Sequence, residues 1–147
     1  MSAEGPVIVI DTREQLPYRF ERSVVKKLDQ GDYSIEGLEH LVAVERKSKV
    51  DAYGTIGRGR ERFERELERL AHLEYAAIVI ECSLPDFLEP PPQSRLHPRA
   101  AVCSLLAWSV KYGVHVFFAG DRRHAQAVTF KLLEKFHKYY QAGEVAA

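Results

Sequence analysis

The chain has 147 residues, of which 46% are hydrophobic and 29% charged, so it can bury a core as one globular domain spanning residues 1–147. Its 21 basic residues balance 21 acidic ones, which excludes a general nucleic-acid coat protein. No apolar stretch is long enough to span a bilayer, and no signal-peptide pattern opens the sequence. The two cysteines have no zinc-ligand spacing and predict free thiols. We therefore expect an intracellular, soluble domain, in the cytoplasm, nucleoid or nucleus.

The N-terminal segment begins with a buried strand. Residues 7–10 are an unbroken apolar run, and Asp11 and Arg13 follow at its carboxyl end, where open α/β sheets tend to place ligands. Residues 15–23 contain a proline and predict a connection. Residues 24–28 predict either a short strand or a helical turn, because so few residues show no clear period.

A hairpin comes next. Residues 32–35 and 41–47 alternate or run apolar on either side of a short polar turn, which predicts two paired strands. Gly31 gives the backbone freedom for a tight turn before the first of them. This hairpin would bring Asp32 back beside Glu45.

The rest of the chain predicts alternating helices and strands. Glycines between residues 51 and 60 predict an irregular segment, in which Asp51 at most caps a short helical turn. Residues 60–74 predict an amphipathic helix whose exposed Arg65 and Arg69 are ordinary solvated charges. The later elements are a strand at 75–80, a loop at 88–94, a helix at 98–112, a strand at 114–118, a helix at 122–140 and a frayed tail at 143–147. This order predicts an α/β or α+β three-layer domain with one mixed sheet.

Residues 42–51 carry the chemistry. Glu45 and Lys47 share one face of the predicted strand, whereas Arg46 points to the other face. Burying a carboxylate and an ammonium at the end of a strand costs free energy, so such a pair indicates a functional role. Asp32 and Glu45 offer two oxygen ligands to a hard divalent cation beside an amine, as metal-assisted phosphodiester hydrolysis requires. The alternative is a surface salt bridge between Glu45 and Lys47, contributing about 0–1 kcal/mol.

Basic residues are concentrated near this segment. Between residues 46 and 60 only Asp51 offsets them, and such a strip beside an acidic site suits a phosphate backbone. The alternative is a solvated surface. The six histidines are scattered and are not predicted as metal ligands. The residues predicted to contact DNA phosphates are Arg13, Arg46, Lys49, Arg58 and Arg60.

Four motifs occur in a diagnostic order. They are Asp11-Thr12-Arg13-Glu14, Gly31-Asp32-Tyr33, Glu45-Arg46-Lys47-Ser48-Lys49-Val50-Asp51 and Gly59-Arg60. The third fits the E-R-K-x-x-x-D signature, and the set resembles the XPF-type (ERCC4-domain) structure-selective DNA endonucleases over about residues 7–140. The resemblance implies a restriction-endonuclease-like three-layer core, with a central mixed β-sheet flanked by helices. It also implies a metal-dependent endonuclease that cuts flaps, forks or junctions in DNA repair or recombination.

The resemblance also assigns roles to particular residues. It implies Mg²⁺ or Mn²⁺ held by Asp11, Asp32 and Glu45. The catalytic residues that it implies are Asp32, Glu45, Arg46, Lys47 and Asp51. We expect no counterpart of the family's common helix-hairpin-helix module in this chain, which leaves the modes of dimerisation and DNA capture open. Two alternatives remain, namely a non-cleaving DNA-binding partner subunit and a nuclease without structure preference.

The C-terminal helices predict a subunit interface. The helix at 98–112 is apolar around much of its girth, and the helix at 122–140 ends in Phe136, Tyr139 and Tyr140. Such surfaces are more apolar than a monomer needs. We therefore expect a homodimer or heterodimer through residues 98–140, with branched or flapped DNA as the other partner.

Overall fold

A six-stranded mixed sheet forms the centre of the computed structural model, which describes residues 4–145. The strands are β1 Ile8–Asp11, β2 Ser23–Lys26, β3 Tyr33–Ile35, β4 Val42–Lys47, β5 Tyr75–Ile80 and β6 His115–Phe118. The helices are α1 Lys49–Ile56, α2 Arg60–Leu70, α3 Leu84–Phe87, α4 Pro98–Tyr112 and α5 Arg122–Gln141. The predicted α/β class, a mixed sheet flanked by helices, is confirmed.

The strand directions bring the polar motifs to one edge of the sheet. The strand order is β2-β1-β3-β4-β5-β6, and β3 is antiparallel to both of its neighbours while the other pairs are parallel. The carboxyl ends of β1, β4 and β5 therefore lie at the same edge as the start of β3. Asp32 precedes β3, so this single reversed strand places it beside the last residues of β4.

The two faces of the sheet bury different apolar sets. Ala43 faces a cluster formed with α1, α2 and α4, which includes the fully buried Leu67. Val42 and Val44 face the opposite cluster, where Leu133 of α5 packs. This alternation along β4 fixes which way each side chain after Val44 points. Glu45 and Lys47 follow Ala43 to the α2 side.

Helix α1 corrects the prediction of an irregular segment after residue 50. Ser48 caps the helix, because its hydroxyl accepts the N–H of Asp51 at 3.1 Å. Tyr53 and Ile56 are buried against the core. A glycine inside a helix costs roughly 1 kcal/mol, and burying two large side chains outweighs it at about 1.5–3 kcal/mol each.

The remaining boundaries follow the sequence closely. The predicted strands at 7–10, 75–80 and 114–118 and the helices at 98–112 and 122–140 are confirmed to within one residue. Helix α2 ends at Leu70, whereas the predicted helix ended at residue 74. Residues 23–26 form a strand, which was one of the two predictions for residues 24–28. The short α3 was not predicted. In the predicted frayed tail, the N–H groups of residues 143 and 144 bond to helix carbonyls, and residues 146–147 lie outside the described part. Between residues 4 and 145 no helix is both long and apolar enough to cross a membrane.

Candidate active site

Asp32 is fixed against β4 by a turn that requires glycine. Gly31 has a φ of 77°, and a Cβ there would lie 2.7 Å from the Cβ of Ala43. The chain can therefore pass close to β4, where the Asp32 N–H donates to the carbonyl of Val44 at 2.9 Å. The Asp32 Oδ2 accepts the backbone N–H of Arg46 at 2.8 Å. The predicted hairpin geometry is confirmed.

Glu45 and Lys47 lie together on the α2 side of β4. The Glu45 residue is 8% exposed, and the Lys47 Nζ lies 3.7 Å from its Oε2. The ammonium also packs 4.9 Å from the centre of the Phe63 ring. The two side chains are only 11% and 17% exposed, so the pair is not the surface salt bridge considered as an alternative. Among the described residues, no hydrogen bond reaches the Glu45 carboxylate.

The two acids at this edge have perturbed acidities. Burial raises the pKa of Asp32 to about 7, although the N–H of Arg46 opposes the change. Burial, and then the charge of Asp32, raise the pKa of Glu45 well above its usual range, and Lys47 only partly compensates. Two neighbouring carboxylates, one buried and one partly buried, favour a bound proton or a cation between them. The site is therefore short of positive charge.

Asp11 is held by Arg13. Its Oδ2 accepts from the Arg13 Nε at 2.8 Å, and its Oδ1 accepts the Leu28 N–H at 2.8 Å. Burial alone would raise the pKa of Asp11, but these hydrogen bonds outweigh burial and lower it. Both oxygens are occupied, so a metal role for Asp11 would require the Arg13 contact to open. Arg13 itself is 65% exposed at the rim of the site.

Arg46 points to the opposite face of the sheet, as its position in the strand predicts. Its Nε donates to Glu81 at 2.8 Å, and its NH1 donates to Glu14 at 3.1 Å and to the carbonyl of Leu16 at 2.7 Å. The side chain is 16% exposed. These contacts leave little of the guanidinium for the predicted phosphate contact. Arg46 instead ties the β1–β2 loop to the strand whose backbone N–H holds Asp32.

Two tyrosines complete the buried network on that face. Tyr18 donates its hydroxyl to Glu81, and Tyr33 donates its hydroxyl to Glu14 at 2.6 Å. The two rings stack 5.2 Å apart, and the guanidinium of Arg46 lies 4.7 Å from the centre of the Tyr18 ring. The sequence analysis missed this network because its members are far apart in the chain.

The sequence profile of the ERCC4 domain matches residues 10–132. The chain belongs to the ERCC4 domain family. Two similar solved structures are XPF from Aeropyrum pernix, with a TM-score of 0.70, and the same protein in complex with DNA, with a TM-score of 0.72. Both are 23% identical to this chain and cover 89% and 92% of it. The match confirms the resemblance read from the motifs, and the two structures confirm the fold.

The ERCC4 domain described here spans 61% and 66% of the two XPF chains, which is less than two thirds of each. No curated protein sequence matches it significantly.

Three of the basic residues predicted to contact DNA also make contacts within this ERCC4 domain. Arg60 stacks 4.8 Å from the centre of the Trp108 ring. Lys49 donates to the backbone carbonyl of Asp86 in α3 at 3.3 Å and to that of Glu89 after α3 at 3.0 Å. Arg46 belongs to the network on the far face. Arg13, Arg58 and Arg60 are exposed.

A cavity of about 230 Å³ opens over the acid pair. It is lined by Asp11, Arg13, Asp29, Gln30, Gly31, Asp32, Glu45, Glu66, Arg69 and Leu70. Glu66 and Arg69 come from α2 and were not predicted as site residues. Their position in the sequence beside Leu67 and Leu70 could have identified them. Residues that flank the apolar stripe of a helix lie next to the surface against which that stripe packs.

Asp51 lies outside this cavity. It is exposed in the first turn of α1 and lines a neighbouring cavity of about 330 Å³, together with Arg13 and Ser48. Among the described residues, Asp51 shows no contact with Asp32 or Glu45, so no contact supports its predicted catalytic role. Asp51 favours α1 through its negative charge near the helix N-terminus.

The donor set of the ERCC4 domain fits a hard divalent cation. Asp32 keeps one carboxylate oxygen without a hydrogen bond in the described part of the chain, and Glu45 keeps both. Over residues 4–145, no three His, Cys, Asp or Glu side chains converge on one point. Mg²⁺ usually binds through one or two carboxylates and completes its shell with water and substrate phosphate. Two carboxylates that line one open cavity match that preference.

Proposed function

We propose that this domain is a Mg²⁺- or Mn²⁺-dependent DNA endonuclease that hydrolyses phosphodiester bonds in flaps, forks or junctions, in DNA repair or recombination. The observation that carries the proposal is that the partly buried Asp32 and the buried Glu45 line one open cavity, with Lys47 at 3.7 Å from Glu45. Shielded acids of raised pKa beside an amine are the arrangement of a reactive site rather than of a stabilising one. Family membership and a structural neighbour solved with DNA support the same substrate class.

Each side chain then has a definite task. Asp32 and Glu45 would hold the divalent ion, which would supply a water of lowered pKa and neutralise charge on the phosphate. Lys47 places its ammonium where it stabilises the pentavalent phosphate or orients the attacking water. Arg13, at the rim, binds a backbone phosphate and carries no base-sequence information. Arg46 positions Asp32 through its backbone N–H and fixes the adjacent loop through its side chain.

Cleavage of a flapped duplex with Mg²⁺ or Mn²⁺ tests the proposal. Asp32→Ala, Glu45→Ala and Lys47→Ala should each abolish cleavage, whereas Glu61→Ala, an exposed acid of α2, should retain it. Full activity in any of the three would remove that residue from the mechanism. Binding without cutting by the unmodified protein would identify a non-cleaving partner subunit. Equal cutting of linear duplex would identify a nuclease without structure preference.

We also propose that the domain dimerises through residues 98–140. On α4, Leu106 is 53% exposed and Val110 is 87% exposed, and Cys103 of the same helix is exposed. Tyr139 near the end of α5 is 44% exposed. Sedimentation at micromolar concentration should give a dimer that Val110→Glu dissociates. A monomer at that concentration would contradict homodimerisation and leave a heterodimer as the remaining form.

A further inference from the structure

Helix α2 forms one wall of the cavity above the acid pair. Leu67 and Leu70 are buried, which fixes the rotation of the helix, and Glu66 and Arg69 therefore border the cavity. Arg69 makes no side-chain hydrogen bond or ion pair within the described residues 4–145, although Glu66 lies three residues earlier, at a spacing that allows one. The guanidinium is thus a cation with no protein partner at the mouth of an acidic cavity.

Two other cations, Arg13 in the lining of the cavity and Lys47 beside the lining residue Glu45, already have an acidic partner. Lys47 lies 3.7 Å from Glu45, and Arg13 bonds to Asp11 at 2.8 Å. A phosphodiester that enters a cavity with several carboxylates needs further positive charge beside the metal. Arg69 is the cavity-lining cation best placed to supply it without breaking an existing contact.

We propose that Arg69 binds a phosphate adjacent to the scissile one and thereby positions the substrate strand over Asp32 and Glu45. This inference rests on the proposed nuclease function and adds a residue to it. Arginine suits the task because its planar fork matches two phosphate oxygens at once. The competing explanation is that Arg69 is one of several solvated charges on α2 and acts only through the general field of the helix.

The first test compares Arg69→Ala with Arg65→Ala, an exposed arginine on the same helix that does not line the cavity. The probe is a fluorescent flapped duplex, with Ca²⁺ replacing Mg²⁺. We expect Arg69→Ala to weaken binding about tenfold or more and to lower the salt slope by about one. Arg69→Lys should restore part of the loss, and Tm should not change because no protein contact is removed. Equal losses in Arg65→Ala and Arg69→Ala would overturn the inference.

The second test locates the contact. Single neutral methylphosphonates are placed along the cleaved strand, and binding is measured for the unmodified protein and for Arg69→Ala. At one position near the cut, the two changes should be non-additive, because they remove the same contact. Additivity at every position would contradict the inference. If the protein does not cleave DNA but the non-additivity is found, the nuclease proposal fails and the Arg69 contact stands. If the protein cleaves DNA and the changes are additive at every position, the nuclease proposal stands and the Arg69 contact fails.

Discussion

Substituting Asp32 by Asn should stabilise the metal-free protein at alkaline pH. Burial raises the pKa of Asp32 from 3.8 in its ordinary state to about 7 in the folded protein. The folded state therefore holds a proton that the unfolded chain has lost, and the unmodified protein loses stability as pH rises from about 4 to about 7. Asparagine remains neutral throughout and keeps an oxygen that can accept the Arg46 N–H.

The size of this effect follows from the two pKa values. At about 1.4 kcal/mol per pKa unit, the change from 3.8 to about 7 corresponds to about 4 kcal/mol of unfolding free energy at pH 8. This is an upper limit, because Glu45 shares the proton uptake with Asp32. The advantage of Asn should shrink steadily between pH 8 and pH 4.

Urea unfolding in EDTA at several pH values measures the difference. Asp29→Asn is the matched control, since Asp29 is an exposed acid at the rim of the same cavity, and its effect should stay within about 0.5 kcal/mol. Addition of Mn²⁺ should raise the Tm of the unmodified protein more than that of Asp32→Asn. If Asp32→Asn is the less stable protein at pH 8 in EDTA, the charge of Asp32 stabilises the fold and the reasoning is refuted.

Three further substitutions probe the frame around the site. Gly31→Ala should destabilise the domain by about 1–3 kcal/mol and reduce cleavage, because the turn has a positive φ and no space for a Cβ; thermal unfolding and a cleavage rate measure both. Arg46→Ala should lower the free energy of unfolding in urea by about 3–5 kcal/mol, since Glu14 and Glu81 lose their cation. Neutralising both acids in that variant should recover part of the loss. No recovery would show that the ion pairs are not its cause. Leu67→Ala should cost about 2–5 kcal/mol by the same measurement, because the side chain is fully buried, and a loss below 1 kcal/mol would show that α2 is not anchored there.

Much of the fold could be predicted because apolar runs and their spacing are local signals. The run at 7–10 and the helix at 98–112 were placed to within a residue, and Gly113 ends α4 in the left-handed conformation that glycine favours. Helix α1 was missed because glycines were weighed above the cap. Ser48 followed by Asp51 at the third helical position, with Tyr53 to bury, was the stronger signal.

The site divides in the same way. Asp32, Glu45 and Lys47 could be brought together from the sequence, because a hairpin and strand alternation fix their relation. The contacts of Arg46 could not be predicted, since Glu81 follows a different strand, β5, and Leu16 lies in the β1–β2 loop. Residues that only tertiary packing brings together show no characteristic spacing in the sequence from which their contact could be predicted.

Anomalous diffraction from crystals soaked in Mn²⁺ tests the central claim most directly. We predict a peak between the carboxylates of Asp32 and Glu45, with the Lys47 ammonium beside it but not bound to it. Glu45→Gln crystals should lose or weaken this peak. The absence of any peak between these two carboxylates at saturating Mn²⁺, in crystals of a protein that still cleaves DNA, would contradict the claim.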